Sequence, residues 1–282
     1  MAGYRIWIII GMTVLNSSCD KNNNADPKAV FDSIPVSHMV QPMIIEASGI
    51  APSNANPGHL WVHEDSGTPN QLFLVKSDGN VQKKIHLKGI TNRDWEDMAL
   101  VNNRVYIAET GDNGEVYADY AFYHFAEPGL ATDTVFSIDT IRFSYPDGSH
   151  DAEAFLVDKD LKFIYIITKR DNPSRIYKLS FPYTSVMQAE FLGVLPYTGV
   201  TSCTQSTDGK EIMVRTYTGI FYYNRLGSQS IPQAMANGFT SLKHKAEPQG
   251  EAICFSLDGS GFYTLSEKAF ASQADLNYYK RN

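Results

Sequence analysis

Residues Asn92–Asn113, NRDWEDMALVNNRVYIAETGDN, decide the reading of this chain. An acidic knot, Asp94-Trp95-Glu96-Asp97, leads into the apolar step Met98-Ala99-Leu100-Val101. Asn102-Asn103 reads as a turn, because asparagine tolerates the left-handed backbone of tight hairpins. Val105-Tyr106-Ile107-Ala108 then reads as a short strand that ends in Glu109-Thr110-Gly111-Asp112-Asn113. The unit is strand, tight turn, strand, with charged groups at one end of both strands.

Degraded copies recur along the chain. Their starts align at Ser48, Glu96, Glu153, Thr201 and Glu251, with spacings of 48, 57, 48 and 50 residues. Each is a short apolar run broken by Asp-Gly or Asn-Pro turns, without a sustained 3.6-residue period. Such a period matches one four-stranded sheet per repeat, the size of a propeller blade. The expected fold is therefore all-β, a β-propeller of five blades spanning residues 29–282 as one domain. A sixth blade fits if Thr134–Tyr145 is a diverged unit, which the 57-residue spacing permits. A β-sandwich with regular turns is the competing architecture. The segment Val30–Val40 is expected to lie beside Asp275–Lys280 and close the ring with an N-terminal strand.

Composition agrees with a real core of strands and turns. The chain has 282 residues, 43% hydrophobic, with 16 Tyr, 15 Phe and 20 Gly. Its formal charge is −7, and basic residues form no stripe interleaved with aromatics, so nucleic acid is not an expected partner. A monomer is expected. At the N-terminus, Arg5 precedes an apolar run of 10 residues, Ile6 to Leu15, too short to span a bilayer as a helix. Small residues Ser17 and Ser18 before Cys19 resemble a bacterial lipoprotein processing site, and on that resemblance residues 1–18 are expected to be a lipoprotein-type signal peptide. Asn16 stands where that pattern has a hydrophobic residue, and plain secretion is the alternative. Cys19 would carry the lipid, residues 19–28 would form a polar tether, and the domain would sit at a bacterial envelope surface. Cys203 and Cys254 are read as two buried free thiols or as a bridge.

The motifs also carry a family resemblance. Asp94-Trp95-Glu96-Asp97-Met98, Glu109-Thr110-Gly111-Asp112-Asn113, Ser48-Gly49-Ile50 with Leu60-Trp61, and Asp151-Ala152-Glu153-Ala154-Phe155 together resemble the SdiA-regulated family of bacterial propellers. More loosely, they are similar to esterase-like phytase propellers. The resemblance implies a secreted or envelope propeller, sometimes metal-binding, most of whose members lack an assigned reaction. It departs from the full pattern at Val200-Thr201, which replaces the acidic pair.

If the units stack radially, Glu96, Glu153 and Glu251 converge on one mouth of the channel. Asp94 and Asp151, two residues earlier, point the same way. These five acids are the candidate metal ligands, and hard oxygen donors favour Ca²⁺ or Mg²⁺. The competing reading makes them acceptors of loop backbone N–H groups. The ends of the second strands supply the candidate ligand-binding residues: Glu64, Asp65, Glu109, Asp112, Asn113, Lys169, Arg170, Arg215 and Tyr217. Lys169, Arg170 and Arg215 suit an anion. Two functions follow. One is an envelope propeller that binds a small molecule, glycan or protein at its polar mouth; the other is a Ca²⁺- or Mg²⁺-dependent hydrolase of a phosphoester or ester.

Overall fold

In the computed structural model, residues 29–184 and 186–282 are described. The signal-peptide and tether segments, 1–18 and 19–28, and with them Cys19, lie outside the described residues. The opening stretch folds as the sequence predicts. Trp95–Val101 and Arg104–Glu109 pair antiparallel, with Val101 opposite Arg104. The two-residue turn between them has positive φ at Asn102 (50°) and Asn103 (59°), the conformation that follows strand twist.

Among the described residues five sheets form, antiparallel through their four main strands, each stepping outward from the axis. Blade 1 comprises Ala47–Pro52, His59–Glu64, Gln71–Lys76 and Val81–Leu87. Blade 2 comprises Trp95–Val101, Arg104–Glu109, Tyr120–Ala126 and Asp139–Ser144. Blade 3 comprises Ala152–Val157, Phe163–Thr168, Arg175–Ser180 and Glu190–Val194. Blade 4 comprises Val200–Gln205, Glu211–Thr216, Ile220–Asn224 and Thr240–Leu242. Blade 5 comprises Gly250–Phe255, Gly261–Ser266, Asp275–Lys280 and, from the start of the chain, Val36–Met39. The innermost strand of each blade flanks those of its two neighbours, and the fifth meets the first.

A sandwich would bury one shared core, whereas here five apolar clusters each fill one interface between blades. Strand alternation divides the side chains. Ala154 and Leu156 face blade 4, while Phe155 and Val157 face blade 2. The sixth blade does not form. Thr134–Val135 returns to the edge of blade 1, parallel to Val81–Leu87, and Asp139–Ser144 is the outer strand of blade 2. That detour accounts for the 57-residue spacing. The chain closes as expected, with Val36 opposite Tyr278 and Met39 opposite Asp275. Cys203 and Cys254 are buried free thiols.

Glu127, in the loop after Tyr120–Ala126, latches blade 2 to blade 1. Its carboxylate accepts from Ser53 Oγ (2.7 Å), Asn54 N (3.0 Å), Ala55 N (3.0 Å) and Trp61 Nε1 (2.9 Å). Trp61 is fully buried, so Glu127→Ala strands an indole N–H as well as removing a charged acceptor. The expected loss is about 2 kcal/mol, read by denaturant unfolding. An unchanged midpoint would show that the latch contributes nothing.

Candidate functional site

Every innermost strand breaks register at its start. The pairing jumps between Ala47 and Ile50, Trp95 and Met98, Ala152 and Ala154, Val200 and Ser202, and Gly250 and Ala252. The skipped residues include Ser48, Glu96, Glu153, Thr201 and Glu251, the positions at which the repeats align. A β-bulge re-aims its side chain out of the pleat, and here it does so at one end of the channel in all five blades. Ser48 Oγ donates to the Glu96 carbonyl (2.5 Å) and Thr201 Oγ1 to the Gly250 carbonyl (2.8 Å), joining each blade to the next. The three glutamates at the equivalent places remain as buried carboxylates.

The acids of this mouth fall into two sets. Glu109 accepts from the backbone of Arg93 (3.1 Å) and Asp94 (2.6 Å) and from Trp95 Nε1 (3.1 Å). Asp112 accepts from Val116 N, Tyr117 N and Tyr120 Oη at 2.8–2.9 Å. Asp97 reaches from blade 2 across the axis to Ser202 Oγ (2.9 Å) and Cys203 N (3.2 Å) of blade 4. These three hold the scaffold. By contrast, among the described residues no backbone N–H donates to the carboxylates of Asp94, Glu96 or Glu153, while Asp65 accepts from Ser66 N (2.5 Å) and Asp151 from Asp112 N (2.8 Å). Asp94 Oδ1 and Glu153 Oε2 are buried without a hydrogen-bond partner.

The second set converges. Asp65, Asp94 and Glu96 bring carboxylate oxygens within 4.8 Å of one another, and so do Glu96, Asp151 and Glu153. Glu96 belongs to both trios. Burial, then the charges of Asp65 and Asp151, holds the Asp94 carboxyl up at about 7. Burial, then Glu153, Asp65 and Asp94, pushes Glu96 well above the carboxylate range. Gly111 makes the approach feasible. A Cβ there would stand 2.0 Å from Glu96 Oε1 and 2.5 Å from Asp94 Cγ.

Cations are unequally shared. Lys169 Nζ pairs with Glu153, and Arg170 Nε lies 2.7 Å from Asp151 Oδ2 while its guanidinium also meets Asn113. Arg93 stands 3.6 Å from Glu109 and over the ring of Tyr117. Arg215 is buried against Glu247 and the Ala252 carbonyl. Among the described residues no Lys or Arg is in ion-pair contact with Asp65, Asp94 or Glu96, although the charge of Lys169 reaches Asp65 and Glu96 and partly opposes their upward shifts.

Four of the five candidate metal ligands, Asp94, Glu96, Asp151 and Glu153, thus meet, while Glu251 lies outside both trios. Glu251 is buried and its carboxyl is raised by that burial, with Lys169 opposing. Of the candidate ligand-binding residues, Asp65 joins the first trio. Glu64 accepts from the backbone of Ile45 (3.3 Å), Asn113 is exposed beside Arg170, and Tyr217 presents its ring 4.9 Å from Lys169 Nζ. Glu247 as the partner of Arg215, Gly111 as a cradle and Asp97 as a cross-channel tie were not identified in the sequence. Glu247 lies in a loop outside the repeat pattern, and Gly111 looks like any turn glycine.

The opposite end of the channel differs. A cavity of about 330 Å³ opens there, lined in part by Ile50, Met98, Leu100, Leu156, Cys203 and Cys254.

No protein-family model and no curated protein matches the sequence. Among solved structures, the fold is similar to a luciferin-regenerating enzyme at 11% identity and a TM-score of 0.51, covering 87% of this chain and 95% of that one. It is also similar to Kuenenia stuttgartiensis hydrazine synthase at 8% identity and a TM-score of 0.45, covering 84% and 83%. The first shows the propeller architecture, and neither gives a residue of this chain a role.

Proposed function

We propose that this propeller is a Ca²⁺- or Mg²⁺-dependent hydrolase of a phosphoester or ester, with its site at the acidic mouth. The observation that carries the reading is the trio Asp65, Asp94 and Glu96, which converges without a cationic side chain of its own. A Ca–O bond of about 2.4 Å lets two ligands of one ion stand up to about 4.8 Å apart, so the spread of the trio suits one hard cation. The donor set is all oxygen, which favours Ca²⁺ or Mg²⁺ over zinc. Bound there, such an ion would supply Lewis acidity toward a phosphoryl or carbonyl oxygen. Asp65, Asp94 and Glu96 would hold it. The Arg170 side chain, 45% exposed and steadied by Asp151, would receive a substrate anion. The tie from Asp97 to Ser202 braces blades 2 and 4 beneath the mouth.

The test starts from chelator-treated protein. Calorimetry with Ca²⁺ and Mg²⁺ is followed by assays with an aryl phosphate and an aryl acetate. Saturable cation binding with cation-dependent turnover supports the proposal. Binding without turnover on either ester returns the mouth to the role of a receptor for a small molecule, glycan or protein. Absence of cation binding overturns the proposal.

We also propose that Cys19 anchors the domain at the bacterial envelope, a reading supported by Ser17-Ser18-Cys19 behind the apolar run Ile6 to Leu15, which resembles a lipoprotein processing site. Cys19→Ser should block lipid processing and move the protein from the membrane fraction to the soluble fraction. Unchanged partitioning would count against the anchor.

A further inference from the structure

Resting on the metal reading above, we propose that the Lys169 ammonium stands in for a second divalent cation. The mouth then takes one metal ion where its carboxylates outline places for two. The outline is the pair of trios sharing Glu96, each with oxygens within 4.8 Å. A carboxylate common to two such groups is placed as a bridge, the arrangement of two-metal hydrolytic sites.

The two halves are filled differently. The half formed by Asp65, Asp94 and Glu96 contains no Lys or Arg among the described residues, and the buried Asp94 Oδ1 lacks a hydrogen-bond partner. The other half receives Lys169, which enters from the end of Phe163–Thr168 with its backbone N–H on the Asp151 carbonyl (2.9 Å). Its side chain is 12% exposed, pairs with Glu153 and lies 4.9 Å from the centroid of the Tyr217 ring. Arg170 neutralises Asp151 from the rim. Two fixed positive charges therefore sit where a second divalent ion would bring two. Glu153 Oε2, in a side chain 4% exposed, stays without a hydrogen-bond partner and remains free to ligate once the ammonium is gone.

Lys169→Met keeps the length of the stem and removes the charge. Mn²⁺ is the probe, because calorimetry counts the ions and electron paramagnetic resonance reports exchange coupling between two that share a carboxylate. The parent should bind one ion with an uncoupled spectrum, Lys169→Met two ions with a coupled spectrum, and Lys169→Arg one. One ion in both parent and Lys169→Met overturns the inference while leaving the metal reading intact. Two ions in the parent also overturn it. No ion in the parent removes the metal reading itself. If Lys169→Met is unfolded without metal, its melting is followed in rising Mn²⁺. Refolding with two ions bound supports the inference, and failure to refold at any concentration overturns it.

Discussion

Glu96→Gln is expected to weaken Ca²⁺ or Mg²⁺ binding by at least about 100-fold and yet, without metal, to melt above the parent protein. Both effects have one cause. Glu96 is the acid common to both trios and is 4% exposed, so its charge has little water around it. Burial, then Glu153, Asp65 and Asp94, disfavours its ionised form and raises its pKa in the folded state. In the unfolded chain it titrates near 4.5. Between those values the folded protein holds a proton that the unfolded chain has released, so stability falls as pH rises through that window. Asp94, held at about 7, acts in the same direction. Glutamine keeps the shape and one oxygen but never ionises. The melting advantage of Glu96→Gln should therefore be small near pH 5 and widen toward pH 8. Metal should reverse the order. At 100 times its dissociation constant a cation stabilises the parent by about 2.7 kcal/mol, and the variant gains little. Thermal melts at pH 5 and 8, with and without cation, read all of this. A variant that melts below the metal-free parent at pH 8 would make Glu96 a structural acceptor and remove the site.

What the sequence discloses about this site follows physical lines. Ser48, Glu96, Glu153, Thr201 and Glu251 align because a strand-turn-strand unit has fixed length requirements, and each falls on the same bulge. Residue type stops there as a guide. Glu109 and Asp112 resemble Asp94 and Glu96 in sequence, but backbone N–H groups fall within reach of the first pair and not of the second. Asp65 reads as a ligand-binding candidate at a second-strand end, since nothing local tells that the end of a blade 1 strand abuts the start of blade 2. Arg215 reads as an anion ligand until the fold brings Glu247 to it from a loop 32 residues away. The helix Ile231–Ala236 is missed because it is only 6 residues long, although Ser230 and Gln233 form a capping box at its start.

Phe31→Ala is expected to lower stability by about 3 kcal/mol, roughly 10 °C in melting temperature, and a chain starting at residue 41 should lose its cooperative monomeric fold. The closing strand Val36–Met39 buries little itself: Val36 is 57% and Met39 44% exposed. Apolar anchorage comes from residues on either side of it. Phe31 meets Phe262 edge-on at 5.1 Å and Tyr222 at 5.8 Å, with the Arg281 guanidinium 4.6 Å from its centroid. Val40 is buried between blades 5 and 1. Backbone bonds fix the rest, from Asp32 N to the Lys280 carbonyl (2.8 Å) and from Val40 N to the Ala274 carbonyl (3.0 Å). Val36→Ala should therefore change stability by less than about 0.5 kcal/mol, while Phe31→Ala leaves a cavity among aromatic rings. Removing the whole segment also bares the edge of Asp275–Lys280, a row of unpaired backbone groups that invites a second chain. Calorimetry and light scattering separate these outcomes. A chain starting at residue 41 that stays monomeric and melts within a few degrees of the parent would show that the ring does not depend on its N-terminal strand.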